Sequence, residues 1–301
     1  MTRFKGITVF TLLASVAWSA QGQVVFETTS PYHHIKVADY DRMRILHFDA
    51  STQSRMSLDN PLEGHFEYTE YFHMPWLWND KIENVLMIGL GGSSIQRAYQ
   101  AYYPEVTITT VELDPKVVAV AKSFFHFQEA ERMKVIVGDG RQHLRRTRQK
   151  YDLIILDAYT ANRYGSFIPY TLATKEFFTL AREHLRDNGI LAYNVIGTMT
   201  NRRKNLVGSM YRTLKTCFPQ VVLFPAVQSR NVVIVATQSA DPMTPTLCQQ
   251  RVATLLDSKR ITLPNFGAHT QRLRRTPPAG VDQSPILTDD FAPVDGLLKA
   301  E

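Results

Sequence analysis

The spacing of the apolar residues changes once along the chain, close to residue 80. Before that point, short apolar segments alternate with polar residues, as in Ile35-Lys36-Val37 and in Arg44–Phe48. The turn-forming sequence Asp39-Tyr40-Asp41 separates those two segments, and this order is typical of a β-hairpin. We therefore predict a small β-rich domain over residues 23–80.

From Val85 onward the apolar runs are continuous, as expected for strands buried on both faces of a sheet. The first run, Val85–Ile88, ends at Gly89, and similar runs recur at 106–113, 135–138, 153–156 and 190–196. Segments of helical period separate these runs, for example Pro115–Phe127 and Thr171–Leu185. Such alternation predicts a parallel sheet with helices on both faces.

The last two apolar runs have a different connection. Val221–Phe224 and Asn231–Ala236 are separated by six residues, which is too short for the crossover that parallel strands need, so we predict an antiparallel pair. Beyond residue 240 the periodicity is weak. The pattern therefore predicts an α/β domain over residues 81–240 and a C-terminal extension over residues 241–301 that packs on its surface.

The N-terminus carries a pattern of its own. Arg3 and Lys5 precede an uncharged apolar run, Gly6–Ala17, and small residues follow that run. This order is typical of a secretory signal peptide, and the run is short for a membrane span. We assign residues 1–22 to a signal peptide and expect a periplasmic or secreted protein with no membrane span after cleavage. A cytoplasmic or membrane-anchored protein is the alternative.

Composition narrows the functional classes. The chain has 34 Lys+Arg against 28 Asp+Glu, a formal net charge of +6, and its basic clusters at 145–148 and 202–204 lack interleaved aromatic residues. We therefore expect no nucleic-acid partner. Cys217 and Cys248 are too few for a disulfide-rich fold or a four-cysteine zinc site, and their spacing leaves a bridge between them open. The histidines have no metal-ligand spacing, so no metal site is predicted.

A glycine-rich segment and three acidic residues follow successive predicted strands. Gly89 and Gly91 lie where the first strand ends and a helix begins, so that backbone amides can approach a ligand closely. Glu112, Asp139 and Asp157 come at the ends of the next three strands, and these ends share one crevice in an open α/β sheet. We predict an adenosine site there, with Glu112 on the ribose and Asp139 near the adenine. Both NAD and a sulfonium nucleoside fit such a crevice.

Taken together, these motifs resemble the spermidine synthase (aminopropyltransferase) family, within the fold of S-adenosylmethionine-dependent methyltransferases. The resemblance covers about residues 30–236 and rests on segments 30–32, 66–75, 85–91, 111–114, 138–140 and 151–157, with a further segment at 287–293. It implies a Rossmann-like seven-stranded methyltransferase-type sheet preceded by a small N-terminal β-domain. It also implies a homodimer.

In that family an amine attacks the carbon beside the sulfonium of decarboxylated S-adenosylmethionine and takes over its aminopropyl group. The resemblance implies that Asp157 is the general base and that Tyr68 aligns the amine, with Glu70 and His73 also in the substrate site. Decarboxylated S-adenosylmethionine or S-adenosylmethionine would be the co-substrate, and an amine such as putrescine the acceptor. Neither a metal nor a permanently bound cofactor is implied.

The sequence departs from the family pattern mainly at the amine end. Gly92 stands where the family's glycine loop carries an aspartate, and Thr160 replaces the second acid of a D-x-x-D pair that begins at Asp157. Two alternatives therefore stay open. One is a methyltransferase on the same fold that uses intact S-adenosylmethionine, and the other is an exported homologue without catalytic activity.

Overall fold

The structure is a computed structural model that describes residues 22–162 and 165–299, with the side chains of residues 161, 162, 165, 166 and 299 left out. The predicted signal peptide falls on residues 1–22, of which 1–21 lie outside the described residues. Within the described ranges, no helix has both the length and the apolar character needed to cross a membrane.

The N-terminal part is a four-stranded antiparallel sheet whose strands are adjacent in sequence order. Its strands are β1 (Gln23–Thr29), β2 (His34–Tyr40), β3 (Met43–Phe48) and β4 (Ser51–Ser57). The predicted hairpin is β2–β3, in which Tyr40 pairs with Met43. Asp41, at a φ of 52°, makes the left-handed turn between them, a conformation that aspartate tolerates better than most residues.

A 3₁₀ helix, Glu67–Leu77, leads from this sheet into the α/β domain. The strands that follow are β5 (Asn84–Ile88), β6 (Thr107–Glu112), β7 (Met133–Val137), β8 (Tyr151–Leu156), β9 (Thr160–Asn162), β10 (Gly165–Phe167), β11 (Leu185–Ile196), β12 (Gln220–Pro225) and β13 (Asn231–Thr237). The helices are α1 (Ser94–Tyr102), α2 (Pro115–Phe124), α3 (Gly140–Arg146), α4 (Lys175–Glu183), α5 (Leu206–Lys215), α6 (Pro245–Asp257), α7 (Phe266–Thr270) and α8 (Val294–Lys299).

Local sequence explains where several helices begin. The Asp114 carboxylate accepts a 2.8 Å hydrogen bond from the amide of Lys116 at the start of α2, and Pro115 occupies the first helical position. The Thr174 hydroxyl accepts from the amide of Phe177 at the start of α4. Such caps satisfy amides that have no partner within the helix, typically worth about 1 kcal/mol each.

The central sheet has seven strands in the order β12-β13-β11-β8-β5-β6-β7. Strands β5, β6, β7, β8 and β11 are parallel, whereas β13 runs antiparallel to β11 and to β12. The fold class predicted from the sequence is thereby confirmed, as is the antiparallel pair near the end of the sheet. Because β6 and β7 lie on one side of β5 while β8 and β11 lie on the other, the strand order reverses at β5. Open α/β sheets bind ligands at this switch point.

Apolar side chains cover both faces of the central sheet. Met87 and Ile155 belong to the core on one face, and Leu86 and Ile154 to the core on the other. The C-terminal extension contributes to both cores, through Phe266 on the first face and through residues such as Leu287 and Val294 on the second. It therefore completes the α/β domain, which its weak periodicity did not predict.

The two cysteines are both free thiols. Cys217 is buried in the core on one face of the sheet, whereas Cys248 packs against the core on the opposite face. The sheet thus lies between them, and the bridge that the sequence left open is not formed in this structure.

Candidate active site

A cavity of about 250 Å³ lies at the carboxyl end of the parallel strands, beside the switch point. The N-terminal domain contributes residues to it as well, namely His33 in the turn before β2, and Phe48, Gln53 and Ser54 on β3 and β4. Among the described residues that line the cavity, three are acidic, namely Glu112, Asp139 and Asp157, and none is a lysine or arginine. The cavity therefore favours a cationic ligand, although the chain as a whole is basic.

Gly89 allows the loop after β5 to approach the end of β8. It adopts a φ of 102°, and a Cβ at this position would lie 2.3 Å from the backbone oxygen of Asp157. Its amide donates a 2.9 Å hydrogen bond to the carbonyl of Val111. Gly91, with a φ of 50°, continues the turn. Both predicted glycines line the cavity. Their positive φ angles are backbone conformations that other residues adopt only with strain.

Strand β4 occupies the space beside the same loop. The amide of Gly92 donates a 2.9 Å hydrogen bond to Ser54 Oγ, and a Cβ at Gly92 would lie 2.7 Å from Ser54 Cβ. An acidic side chain at this position would therefore require β4 to move. Sequence reasoning missed Ser54 and its neighbour Gln53, because nothing in a short alternating strand indicates contact with a loop nearly forty residues away.

Glu112, at the end of β6, is held between two backbone amides. Its Oε2 accepts a 2.9 Å hydrogen bond from the amide of Leu90, and its Oε1 accepts one of 2.9 Å from the amide of Asp114. Burial raises the pKa of Glu112, although these amides oppose the shift. Each oxygen keeps a second lone pair, so the carboxylate can still accept from ligand hydroxyls.

Asp139 follows β7 and has two roles. Its Oδ1 accepts a 2.7 Å hydrogen bond from the amide of Gln142 and thereby caps α3. The same residue, with Gly138 and Gly140 on either side, lines the cavity. Glu112 and Asp139 therefore lie together on the β6–β7 side of the glycine loop, where the sequence predicted an adenosine.

Asp157 lies across the glycine loop, at the end of β8. The hydroxyl of Tyr68 donates a 3.1 Å hydrogen bond to its Oδ2, and Nδ2 of Asn194 donates one of 2.9 Å to its Oδ1. Burial raises the pKa of Asp157 to about 6, and these two hydrogen bonds limit the rise. A carboxyl group with such a pKa can take up a proton near neutral pH, which is the property of a general base.

Asn194 on β11 is oriented by its own neighbours. Nδ2 of Asn231 donates a 3.0 Å hydrogen bond to Asn194 Oδ1, so the amide nitrogen of Asn194 must face Asp157. The Tyr159 hydroxyl donates to the backbone carbonyl of Asn194 and accepts from the amide of Ile196. Sequence reasoning missed Asn194 and Tyr159. The only signal for Asn194 was an amide in an otherwise apolar strand, where a buried polar group needs partners.

The two other predicted substrate residues do not line the cavity. Glu70 is hydrogen-bonded to Nε2 of His65, away from the cavity lining. His73 is 1% exposed, its Nδ1 lies 2.8 Å from the Tyr103 hydroxyl, and its ring stacks on Tyr99 at 5.0 Å. Burial lowers the pKa of His73 to about 4, which keeps the ring neutral. Of the predicted substrate residues, Tyr68 is therefore the one that the structure brings to Asp157.

Within residues 22–162 and 165–299, no group of three or more histidine, cysteine, aspartate or glutamate side chains is arranged to hold a metal ion.

Comparison with known proteins gives consistent matches. A polyamine aminopropyltransferase from Vibrio vulnificus is 31% identical over 290 residues, which span 93% of this chain and 92% of that protein. A probable spermidine synthase from Corynebacterium glutamicum, 20% identical, has a TM-score of 0.62 over 77% of this chain and 86% of its own. A spermidine synthase in complex with the transition-state analogue AdoDATO, 18% identical, has a TM-score of 0.58 over 83% and 88%.

Both of these solved structures are similar to this chain in fold. The family model described as the spermine/spermidine synthase domain matches residues 65–246, more than half of the chain. This match includes the 3₁₀ helix that carries Tyr68, the glycine loop and the three acidic strand ends. The resemblance that the sequence motifs indicated is confirmed, and the chain belongs to the spermine/spermidine synthase domain family.

Proposed function

We propose that this protein transfers an aminopropyl group from a decarboxylated S-adenosylmethionine to an amine. The observation that carries the proposal is Asp157, a partly buried carboxyl group of the cavity wall with a pKa of about 6, which lies across the glycine loop from Glu112 and Asp139. Relatives named polyamine aminopropyltransferase and a neighbour bound to AdoDATO support it. The adenosine would lie on the side of Glu112 and Asp139, and the amine on the side of Asp157.

The charges of the cavity favour a decarboxylated donor over an intact one. Intact S-adenosylmethionine would bring a carboxylate into a cavity whose described lining has three acids and no lysine or arginine. The Gly92 amide, which would be a natural partner for that carboxylate, already donates to Ser54. A donor with a sulfonium, an ammonium and no carboxylate matches these charges. This supports aminopropyl transfer over the methyltransferase alternative.

The reaction requires only groups of this chain and its two substrates. The amine nitrogen, held at Asp157, forms a bond to the donor carbon beside the sulfonium. The bond between that carbon and sulfur breaks, and its electron pair stays on sulfur to give neutral 5′-methylthioadenosine. The proton lost by the amine passes to Asp157 and then to solvent. Positioning of the two substrates and removal of this proton are the protein's contributions.

Substitution of the proposed base tests this function. Asp157→Asn keeps the shape of the side chain but removes proton acceptance, so transfer should fall by about a hundredfold to ten-thousandfold. The dissociation constant of 5′-methylthioadenosine, measured by calorimetry, should hardly change because the nucleoside lies on the other side of the loop. Activity would be followed as release of 5′-methylthioadenosine with a panel of amines. An Asp157→Asn variant that is fully active, or a wild type that accepts no amine, would contradict the proposal.

Compartment and assembly are separate proposals. Arg3, Lys5 and the apolar run that follows them support export of the chain, and the family resemblance supports a homodimer. Fractionation of cells that express the full-length chain, with mass spectrometry of its N-terminus, tests the first proposal. Light scattering of the purified protein tests the second. A mature protein that still contains residues before residue 20 would overturn the export proposal. A monomeric mass would overturn the homodimer.

A further inference from the structure

Two asparagines lie side by side on β11 and β13, next to the proposed general base. Asn194 is 1% exposed, and its position on β11 pairs with that of Val233 on β13. Asn231 pairs with Ile196, two residues further along β11. The two asparagines are therefore diagonal neighbours on the same face of the sheet. Both strands are otherwise apolar here, and a buried amide in such a place needs hydrogen-bond partners.

The hydrogen bonds of these amides run in one direction, toward Asp157. Nδ2 of Asn231 donates to Oδ1 of Asn194 at 3.0 Å, and Nδ2 of Asn194 donates to Oδ1 of Asp157 at 2.9 Å. We call these two hydrogen bonds the amide relay. A carboxylate can only accept, whereas a side-chain amide has one accepting and one donating end. If the Asn194 amide turned round, its oxygen would face the carboxylate and repel it. The donating end of Asn231 prevents this.

The turn between β12 and β13 fixes Asn231 relative to the rest of the site. The carbonyl of Asn231 accepts a 2.9 Å hydrogen bond from the amide of Ala226 across the turn. The amides of residues 227 and 228 donate to Oε2 of Glu67, at 2.9 and 2.8 Å. Glu67 immediately precedes Tyr68, which supplies the other hydrogen bond to the base. One turn therefore holds both hydrogen-bond donors of the base in place.

We propose that Asn231 is a positioning residue for the general base, because it keeps the donating end of Asn194 directed at Asp157. This inference rests on the proposed function. Asn231 does not line the cavity, so it acts through Asn194 and not on a substrate. A donor at Oδ1 favours the carboxylate over the neutral carboxyl group. It also fixes the plane of the carboxylate, so that the base is ionised and oriented when the amine binds.

Three tyrosines interact electrostatically with Asp157, each from a different segment around it. They are Tyr68 on the 3₁₀ helix, Tyr159 after β8 and Tyr193 on β11, and burial raises the pKa of each. All three therefore stay neutral between about pH 5 and pH 9. The other ionisable side chains of the cavity lining come from other strand ends and from the N-terminal domain, and they are Glu112, Asp139 and His33. A titration resolved for a single carboxyl group distinguishes Asp157 from them.

Asn231→Asp tests the amide relay with a side chain of the same shape that cannot donate. Asn194 would then turn its Nδ2 to the new carboxylate and present Oδ1 to Asp157, which disfavours the ionised base. Because the base would stay protonated up to a higher pH, the acid limb of the pH–rate profile should move up by about one pH unit. Asn231→Ala, which has neither donor nor charge, should shift the limb in the same direction by a smaller amount.

The protonation of Asp157 can also be measured without turnover. The carboxyl carbon would be titrated by ¹³C NMR in protein labelled at aspartate, and its signal would be assigned by comparison with Asp157→Asn. The titration midpoint should rise in Asn231→Asp by the same amount as the acid limb. Circular dichroism and 5′-methylthioadenosine binding would verify that each variant folds.

A double-mutant cycle separates the amide relay from the charge that Asn231→Asp introduces. Asn194→Leu has a similar shape and breaks the relay. Adding Asn231→Asp to Asn194→Leu should therefore shift the Asp157 titration by less than about 0.3 of a pH unit. An equal shift with and without the Asn194 amide would mean that the new charge acts through space, which would overturn the inference.

The outcomes also separate the inference from the proposed function. An unchanged Asp157 titration in Asn231→Asp would overturn the inference, even in a protein that transfers aminopropyl groups normally. A shifted titration in a protein that transfers to no amine would support the amide relay and overturn the proposed function. A shifted titration with an unmoved acid limb would show that Asp157 is not the base, and this would contradict both.

Discussion

Gly89 is the residue on which the geometry of the cavity depends most directly. With a φ of 102° and no room for a Cβ beside the carbonyl of Asp157, a Gly89→Ala substitution must strain the loop or push β8 away. We expect it to lower the free energy of unfolding by about 2 kcal/mol or more and to weaken nucleoside binding. Urea titration and calorimetry with 5′-methylthioadenosine measure the two effects.

The matched control is Gly296→Ala. Gly296 lies in the exposed part of α8, where a Cβ would have open space on all sides out to 4 Å. Alanine favours a helix over glycine by roughly 1 kcal/mol, so this variant should be as stable as the wild type or more so, with normal nucleoside affinity. If both alanine variants behaved alike, the strain assigned to Gly89 would be incorrect.

Asp157 also predicts a pH dependence. A general base must be unprotonated, so kcat should fall as the pH is lowered through about 6, the pKa to which burial raises this group. The hydrogen bond from Tyr68 lowers that pKa. Tyr68→Phe should therefore move the acid limb of the pH–rate profile to higher pH, besides lowering kcat.

Tyr211→Phe serves as the control for this profile. Tyr211 is almost as buried as Tyr68 but belongs to the core on the opposite face of the sheet, and it does not line the cavity. The acid limb of this variant should coincide with that of the wild type. An acid limb in Tyr68→Phe that stays in place, or moves to lower pH, would exclude the assigned role of the hydrogen bond.

At the scale of elements, the C-terminal segment 287–291 ties the nucleoside side of the cavity together. Both Asp289 carboxylate oxygens accept hydrogen bonds from Arg141, at 2.8 and 2.6 Å, and Arg141 immediately follows the Asp139-Gly140 turn. Arg141 also donates to the carbonyl of Thr171, another residue of the cavity wall. Arg141 thus links α3 to the C-terminal segment through the ion pair, and to the residues before α4 through the hydrogen bond to Thr171.

Asp289→Asn is expected to loosen this link. The KM for the donor should rise by about threefold to tenfold with kcat nearly unchanged, equivalent to about 1 kcal/mol of binding. The Asp289 side chain is 41% exposed, so the loss of stability should be smaller than about 1 kcal/mol after solvent screening. The neighbouring Asp290 is equally exposed, whereas Arg141 pairs with Asp289, so Asp290→Asn should leave KM within error of the wild type. An equal KM in the two variants would contradict the role of segment 287–291.

The elements also explain what the sequence could and could not predict. Continuous apolar runs predicted the parallel strands, and parallel strands necessarily bring Glu112, Asp139 and Asp157 to one edge. Asn194 reaches the site through its hydrogen bond to Asp157, 37 residues away in sequence, and Ser54 through its hydrogen bond to Gly92, 38 residues away. No local pattern in the sequence predicts either contact. His73 matched a family motif, but the tyrosines packed around it were not visible as a cluster in the sequence.

At the scale of the whole molecule, the formal charge of +6 would favour an anionic ligand, whereas the acidic cavity favours a cationic one. The difference arises because lysines and arginines are absent from the described cavity lining, while three strand ends converge there with one acid each. Net charge therefore predicted neither the ligand nor its position. Packing of the two domains around the glycine loop is what creates the cavity.

That packing depends on a third core between the N-terminal sheet and α2. Phe125, fully buried there with Ile35 and Val120, also lies against the glycine loop, where a Cβ at Gly92 would be 3.1 Å from its ring. Its carbonyl accepts a hydrogen bond from Arg97 on α1. Phe125 thus joins the N-terminal sheet, α1 and the loop that would hold the donor.

Two substitutions of equal chemistry separate stability from this positioning role. Phe125→Leu and Phe218→Leu each replace a buried aromatic ring with a smaller aliphatic side chain. Each should lower the free energy of unfolding by about 1 kcal/mol. Phe218 lies in the core on the other side of the central sheet, outside the cavity lining. Only Phe125→Leu should weaken 5′-methylthioadenosine binding severalfold, because only it releases the N-terminal sheet from the glycine loop. Urea titration and calorimetry on both variants measure this, and equal losses of affinity would mean that the N-terminal sheet does not position the donor.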